Sequence, residues 1–244
     1  MVWGFYTATH IITLLAAALM LVGLYFDLRK ASRRCQTMVL GILSFSGIAA
    51  IIFNLLMWDE PLYYLPLQLC SINAMLLPIA VLTRSKRIGN LLLVWCLGAL
   101  AALVMNFEMA NAKLASWSFF FYYFPHVMEF GIPVLLFRLG LVEKDPKCIA
   151  STMTITMVIY TGVHLLNKLI NAWCLANNFT YNGTDIVHVN YMFSIDPTNP
   201  LVKLFYQVIP CEYWYMYMVL PIVFVYLLAV YAPQLIARRK KTSV

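Results

Sequence analysis

Charge is what this chain has least of. Only 11% of its 244 residues are charged while 63% are hydrophobic, against roughly a quarter charged in an ordinary soluble domain. Charge that sparse cannot cover a globular surface, and no polar stretch is long enough to build a separate soluble domain. Paired cysteines of the CxxC kind are missing as well. The six cysteines stand singly, which argues against a zinc ribbon or a disulfide scaffold. Only four histidines occur, none in an HExxH or HxxxH pair, and there is no glycine-rich phosphate loop. Neither a metal nor another cofactor is therefore expected. No internal repeat is visible, so the inverted-repeat signature of many transporters is missing too.

What the chain does have is apolar length, with a mean hydropathy of +0.80. Crossing a bilayer takes about 20 apolar residues. Runs at 4–26, 38–58, 65–83, 90–107, 117–137, 148–173 and 210–231 predict seven transmembrane helices. The expected fold is all-α: a polytopic bundle forming one transmembrane domain over 1–244. The segment 201–209 either extends the last span or lies at the interface. The first run is followed by more of its kind, so it reads as a retained helix rather than a cleaved signal.

The net charge of +7 is confined to short clusters between apolar runs, which speaks of topology and not of nucleic acid. One side holds Arg29, Lys30, Arg33 and Arg34, then Arg84, Lys86 and Arg87, then Arg138, Lys144 and Lys147, then Arg238, Arg239, Lys240 and Lys241. The other keeps only Lys113, Lys168 and Lys203 of the 17 basic residues. The positive-inside rule then predicts a multi-pass protein of the cell membrane, with the N-terminus outside and the basic tail 232–244 in the cytoplasm. The stretch 174–200 becomes an extracytoplasmic loop. Its Asn178-Phe179-Thr180 and Asn182-Gly183-Thr184 are formal glycosylation acceptors, or chance sequons in a polar loop. Cys174 and Cys211 fall on that same side, either paired or as free thiols. Oligomeric state is not legible.

Ionisable groups inside a bilayer cost roughly 2.5–3.5 kcal/mol at a helix centre, and those that persist are usually paired or functional. Here they share one depth, in the outer halves of the spans: His10, Asn54, Gln68, Cys70, Ser71, Asn73, Asn106, Glu108, His126, Glu129, His164, Asn167, Lys168, Asn171 and Glu212. The inner halves are nearly featureless. Helices with polar groups at a common depth can pair them across an outward-facing pocket. The alternative is interhelical glue, worth about a kcal/mol per residue. His126 and Glu129, three apart on one helix face, favour the pocket. His164, Asn167, Lys168 and Asn171 make one polar stripe, with Lys168 near enough to the surface to snorkel. Tyr213-Trp214-Tyr215 reads as an interfacial aromatic belt.

Cys70 and His126 are a candidate nucleophile and base for acyl transfer on membrane lipid or a lipid-linked substrate, with Glu129 orienting the ring. The thiolate is favoured by the positive end of a helix beginning after Pro66. Asn73, one turn on, could donate to an oxyanion, and Gln68, His164 and Asn167 supply further substrate contacts. A buried structural cysteine is the competing reading of Cys70. The rival function is a transporter or binding protein for a small polar ligand, held by His164, Asn167, His10 and Glu129.

The run Leu65-Pro66-Leu67-Gln68-Leu69-Cys70 into an apolar helix, and the later Asn190-Tyr191-Met192-Phe193, resemble motifs of the YwaF-like bacterial membrane proteins. His126, in its aromatic setting, resembles that family's histidine in a middle helix. The family commonly has a histidine where this chain has Gln68. It also tends to a Gly-Pro-Trp-Pro-Trp run where Ile209-Pro210-Cys211-Glu212-Tyr213-Trp214 stands here. It is similar to eukaryotic multi-span proteins regarded as cysteine-dependent phospholipid acyltransferases. The resemblance implies Cys70 as nucleophile, His126 as its partner, and Asn190 and Tyr191 at the substrate site.

Overall fold

A computed structural model describes residues 1–105, 107 and 109–242, the last turns through their backbone, without the side chains of 235 and 237–242. Asn106 and Glu108, and the side chains of Arg238, Arg239, Lys240 and Lys241, lie outside the described residues. Among the described residues nine α-helices follow one another: α1 Ala8–Leu28, α2 Arg33–Ser44, α3 Ser46–Met57, α4 Leu69–Thr83, α5 Lys86–Met105, α6 Trp117–Arg138, α7 Cys148–Ala176, α8 Pro200–Val208 and α9 Leu220–Thr242. Among the described residues the only β-pairing is two isolated bridges.

Six segments among the described residues are long and apolar enough to cross a membrane, with α2 and α3 together counting as one. The chain is a polytopic helical membrane protein. Leu15 and Leu19 of α1, Leu165 and Leu169 of α7, and Phe224 and Val225 of α9 are all exposed, as lipid-facing residues should be. Two expected spans take another form. The second is interrupted at Phe45, whose N–H reaches back to the Ile42 carbonyl at 3.2 Å. The third shortens to α4, whose 15 residues rise about 22 Å, less than the roughly 30 Å hydrocarbon core. Segment 201–209 becomes the separate helix α8.

Side-chain caps mark where helices begin. Thr7, Ser32, Ser116 and Asn199 accept hydrogen bonds from the backbone N–H groups of His10, Cys35, Phe119 and Val202, satisfying donors that the first turn leaves unpaired. Pro200 follows the last of these caps, where its missing N–H costs nothing. At the end of α6, Gly140 turns left-handed (φ +67°), and the Leu141 N–H returns to the Leu136 carbonyl at 2.9 Å, a Schellman-type stop.

The chain divides into two compact units, Met1–Asn54 with Leu69–Lys144, and Leu55–Gln68 with Asp145–Val244. In the first, α4, α5 and α6 pack on one another, with α2 against α4 and α6 and α1 against α6. Its N-terminal segment doubles back so that the Trp3 and Gly4 N–H groups bond the Ala112 and Ala110 carbonyls at 2.9 and 2.7 Å. Trp3, fully buried, sets its ring edge-on among His10, Phe119, Tyr122 and Tyr123. In the second unit, Val202 and Phe205 of α8 bury against Tyr215, whose hydroxyl donates to the Phe193 carbonyl.

Candidate functional site

In the first unit the candidate residues sit on two packed helices. Cys70, half-buried, is the second residue of α4, and Asn73 follows one turn later. His126 and Glu129 stand one turn apart on the buried face of α6. The His126 Nδ1 lies 2.6 Å from the Tyr122 carbonyl of its own helix. A carbonyl can only accept, so Nδ1 carries the ring proton and Nε2 the lone pair. The Tyr122 ring lies against the imidazole, centroids 4.4 Å apart. The group that orients His126 through Nδ1 is thus a backbone carbonyl, not the Glu129 carboxylate.

Glu129 reaches instead toward α3. A methyl group placed on Gly47 would overlap Ala74 of α4 and lie 3.1 Å from Glu129 Oε1. Gly47 of α3, Ala74 of α4 and the Glu129 carboxylate of α6 thus come close together, with Ser46 and Asn73 beside the first two along the chain. Ser46 Oγ, both amide atoms of Asn73 and Glu129 Oε2 are each buried without a hydrogen-bond partner among the described residues. His10 is fully engaged: Nδ1 accepts from the Tyr6 N–H at 3.1 Å, and Nε2 therefore donates to the Leu103 carbonyl at 2.8 Å.

The other candidates belong to the second unit, where most of their polarity goes to the chain's own loop. The Asn167 amide donates to the Tyr191 carbonyl at 2.9 Å and to Ser194 Oγ at 2.8 Å, while its oxygen accepts from the Tyr191 N–H at 3.1 Å. Asn171 pairs likewise with both backbone groups of Val189. Asn190 accepts from the Ile195 and Asp196 N–H groups. The Gln68 oxygen accepts from the Met192 N–H at 2.7 Å, and the Tyr191 hydroxyl donates to the Leu62 carbonyl. This network holds Met192 and Phe193 in left-handed backbone (φ +55° and +52°), a strain that persists only where surroundings over-determine it. His164 sits 3.3 Å from Ser194 Oγ and 3.8 Å from Glu212, which also pairs with Lys168 at 3.0 Å. Cys174 is buried, Cys211 is exposed, and both are free thiols.

Asn167→Leu should therefore free the loop, since it strands two backbone groups and one hydroxyl at about 1–3 kcal/mol each when buried. Hydrogen exchange at 190–196 is expected to rise well above wild type; unchanged protection there would contradict the assignment.

The TMEM164 family model matches residues 5–231. The chain belongs to the TMEM164 family. The match takes in most of both units, so the helices bearing Cys70, His126 and Glu129 and the loop held by Asn167 are all features of the matched region. No curated protein and no solved structure matches the chain.

Burial pushes the Tyr191 phenol up to about 12 from its ordinary 10.0, with Tyr181, Cys174 and Tyr63 adding to the effect. The unfolded chain releases this proton at the ordinary value, whereas the folded chain holds it. The stabilisation is therefore complete below pH 10 and lost as pH climbs to about 12. In a tyrosinate absorbance titration, wild type minus Tyr191→Phe should show its step near the upper value. A step near the ordinary value would show the phenol to be solvated.

Proposed function

We propose that this protein is an acyltransferase acting on membrane lipid or a lipid-linked substrate, with Cys70 as nucleophile and His126 as base. The observation that carries the reading is the tautomer of His126. A backbone carbonyl holds the proton on Nδ1, leaving Nε2 with the lone pair that a general base needs. Cys70 begins a helix packed on the one that bears His126, and the positive end of that helix favours the thiolate. Each of the two helices repeats its polarity one turn on, at Asn73 and Glu129.

The reaction runs in two balanced halves. His126 Nε2 takes the Cys70 proton as sulfur attacks the ester carbonyl of the donor lipid. The Asn73 amide N–H donates to the oxygen that becomes negative. The ester C–O bond breaks, a thioester forms, and the leaving alkoxide takes the proton back from the imidazolium. An acceptor hydroxyl then gives its proton to Nε2 and attacks the thioester. The C–S bond breaks and the thiol is restored. Glu129, one turn from the imidazolium, stabilises its charge through space. Gln68, Asn167, Asn190 and Tyr191 shape the second unit's loop, and His164 is its half-buried titratable group. In the bilayer the polar layer faces outward and the Arg-Lys clusters face the cytoplasm, as the positive-inside rule requires.

The direct test is transfer of a labelled acyl chain from a phospholipid to a lysophospholipid by protein reconstituted in vesicles. Transfer that depends on Cys70 supports the reading. Full transfer by Cys70→Ala, or none by wild type from any of a panel of diacyl phospholipid donors, rejects it.

A further inference from the structure

Arg34, Met38, Ile42 and Phe45, with Thr37 and Gly41 between them, recur at three- and four-residue steps and so form one face of α2 and the turn after it. With Leu82 and Arg84 at the end of α4, that face lines a groove of about 430 Å³ within the first unit, inside the size range of small-molecule sites. The groove has two chemistries. Arg34 and Arg84 supply its charge, while Met38, Ile42, Phe45 and Leu82 give it an exposed apolar lining. From Arg34 to Phe45 the helix rises about 16 Å, close to half of the roughly 30 Å hydrocarbon core. Gly41 keeps the floor low: its own Cβ would already touch Leu82 at 3.7 Å, so a larger side chain would fill the groove.

The two arginines are set out for an anion. Arg84 Nη2 donates to Thr37 Oγ1 at 2.6 Å, and the Thr37 hydroxyl donates to the Arg33 carbonyl at 2.9 Å, which ties the guanidinium of α4 to the first turns of α2. Among the described residues neither Arg34 nor Arg84 meets a carboxylate, and segments 29–37 and 83–88 contain no acidic residue. Arg84 takes left-handed backbone (φ +53°) at a helix end where glycine is the usual stop. Arg34 stands in the first turn of α2, where positive charge opposes the helix dipole. Both arginines are thus kept at positions that local structure disfavours.

We propose that this groove binds one phospholipid with a net negative headgroup, its phosphate between Arg34 and Arg84 and an acyl chain along Met38, Ile42 and Phe45. Guanidinium groups suit phosphate because they can donate two parallel hydrogen bonds. Charge selects the headgroup, since a zwitterionic lipid would bring its ammonium into a segment whose only charges are basic. The positive-inside rule puts this end of the bundle at the cytoplasmic leaflet, where anionic lipids are held. Cys70 begins α4 and Arg84 follows its end, so the groove and the proposed nucleophile stand at opposite ends of one helix. Binding here does not depend on the acyl-transfer reading.

The test is native mass spectrometry of the purified full-length chain in detergent, titrated with phosphatidylglycerol or with phosphatidylcholine of the same acyl chains. One phosphatidylglycerol should bind with a Kd about tenfold below that of phosphatidylcholine. Arg34→Gln, at an exposed position, should remove this preference. Gly41→Met keeps both arginines, fills the groove and should abolish the binding; should it not fold, Arg34→Gln alone decides. Arg29→Gln removes the same charge from a guanidinium that lies over Phe26, outside the groove, and should bind as wild type does. Equal Kd values for the two lipids overturn the proposal, as does a preference that survives Arg34→Gln. An equal loss in Arg29→Gln would show diffuse attraction instead of a site. Displacement of the lipid by equimolar inorganic phosphate would show a bare anion site, and a dimer that excludes lipid would show the groove to be covered by a second copy.

Discussion

Cys70→Ala is expected to reduce acyl transfer to background while the protein still inserts and folds. The thiol is half-buried at the start of α4, and losing it leaves only a small void. No other side chain at that position could form the thioester, so the loss should be complete rather than partial. His126→Ala should cost less, about 10²–10⁴-fold, the usual contribution of a positioned general base. Its loss should be larger at low pH, where the thiol needs the most help to ionise, and smaller as alkali supplies thiolate without a base. Cys211→Ala in the second unit serves as the control and should transfer normally. Transfer by Cys70→Ala above a tenth of wild type, or an equal loss in Cys211→Ala, would show that another group does the chemistry.

Gly47→Ala should be the most damaging single methyl in the first unit. The added carbon would overlap Ala74 Cβ, lie 3.3 Å from the Ala74 Cα and stand 3.1 Å from Glu129 Oε1. Ala74 Cβ and Cα are fixed to the backbone and cannot rotate away, so α3 and α4 must separate. Overpacking of this kind costs about 1–3 kcal/mol, or a fall in Tm of roughly 2–4 °C per kcal/mol at this chain length. Gly131 offers a contrast, because its added carbon meets the Leu21 side chain, which can change rotamer. Gly131→Ala should therefore lose less. The double variant Gly47→Ala/Ala74→Gly removes one carbon as it adds another and should recover most of the stability, as coupled neighbours do. A Gly47→Ala protein that melts with wild type would mean the two helices are not this close.

Apolar length was enough to read the membrane class and six of the crossing segments. The irregularities were hidden for physical reasons. A single turn at Phe45, whose backbone stays right-handed (φ −76°, ψ −8°), leaves the hydropathy of the run unchanged, so the second span reads as continuous. The third span reads long because Leu65, Pro66 and Leu67 are apolar, although α4 starts only at Leu69. The polar residues were visible as a set, but their partners were not. Asn167, Asn171 and Asn190 each present a donor and an acceptor, the same pair as a peptide group, so a loop backbone can engage all three. Whether a given amide meets backbone or ligand depends on where residues 186–196 return, which no local pattern encodes. His126 and Glu129 at three-residue spacing do share a face, yet the imidazole gives its hydrogen bond to a carbonyl of its own helix and the carboxylate points toward Gly47.

The proposed chemistry stands or falls on a thioester at Cys70. Protein incubated with a phospholipid bearing a labelled acyl chain, without acceptor, and then quenched in acid should gain one acyl mass by intact-protein mass spectrometry. Peptide mapping should place that mass on Cys70, and hydroxylamine should remove it. Steady transfer without any adduct, or an adduct mapped to a different side chain, would contradict the account.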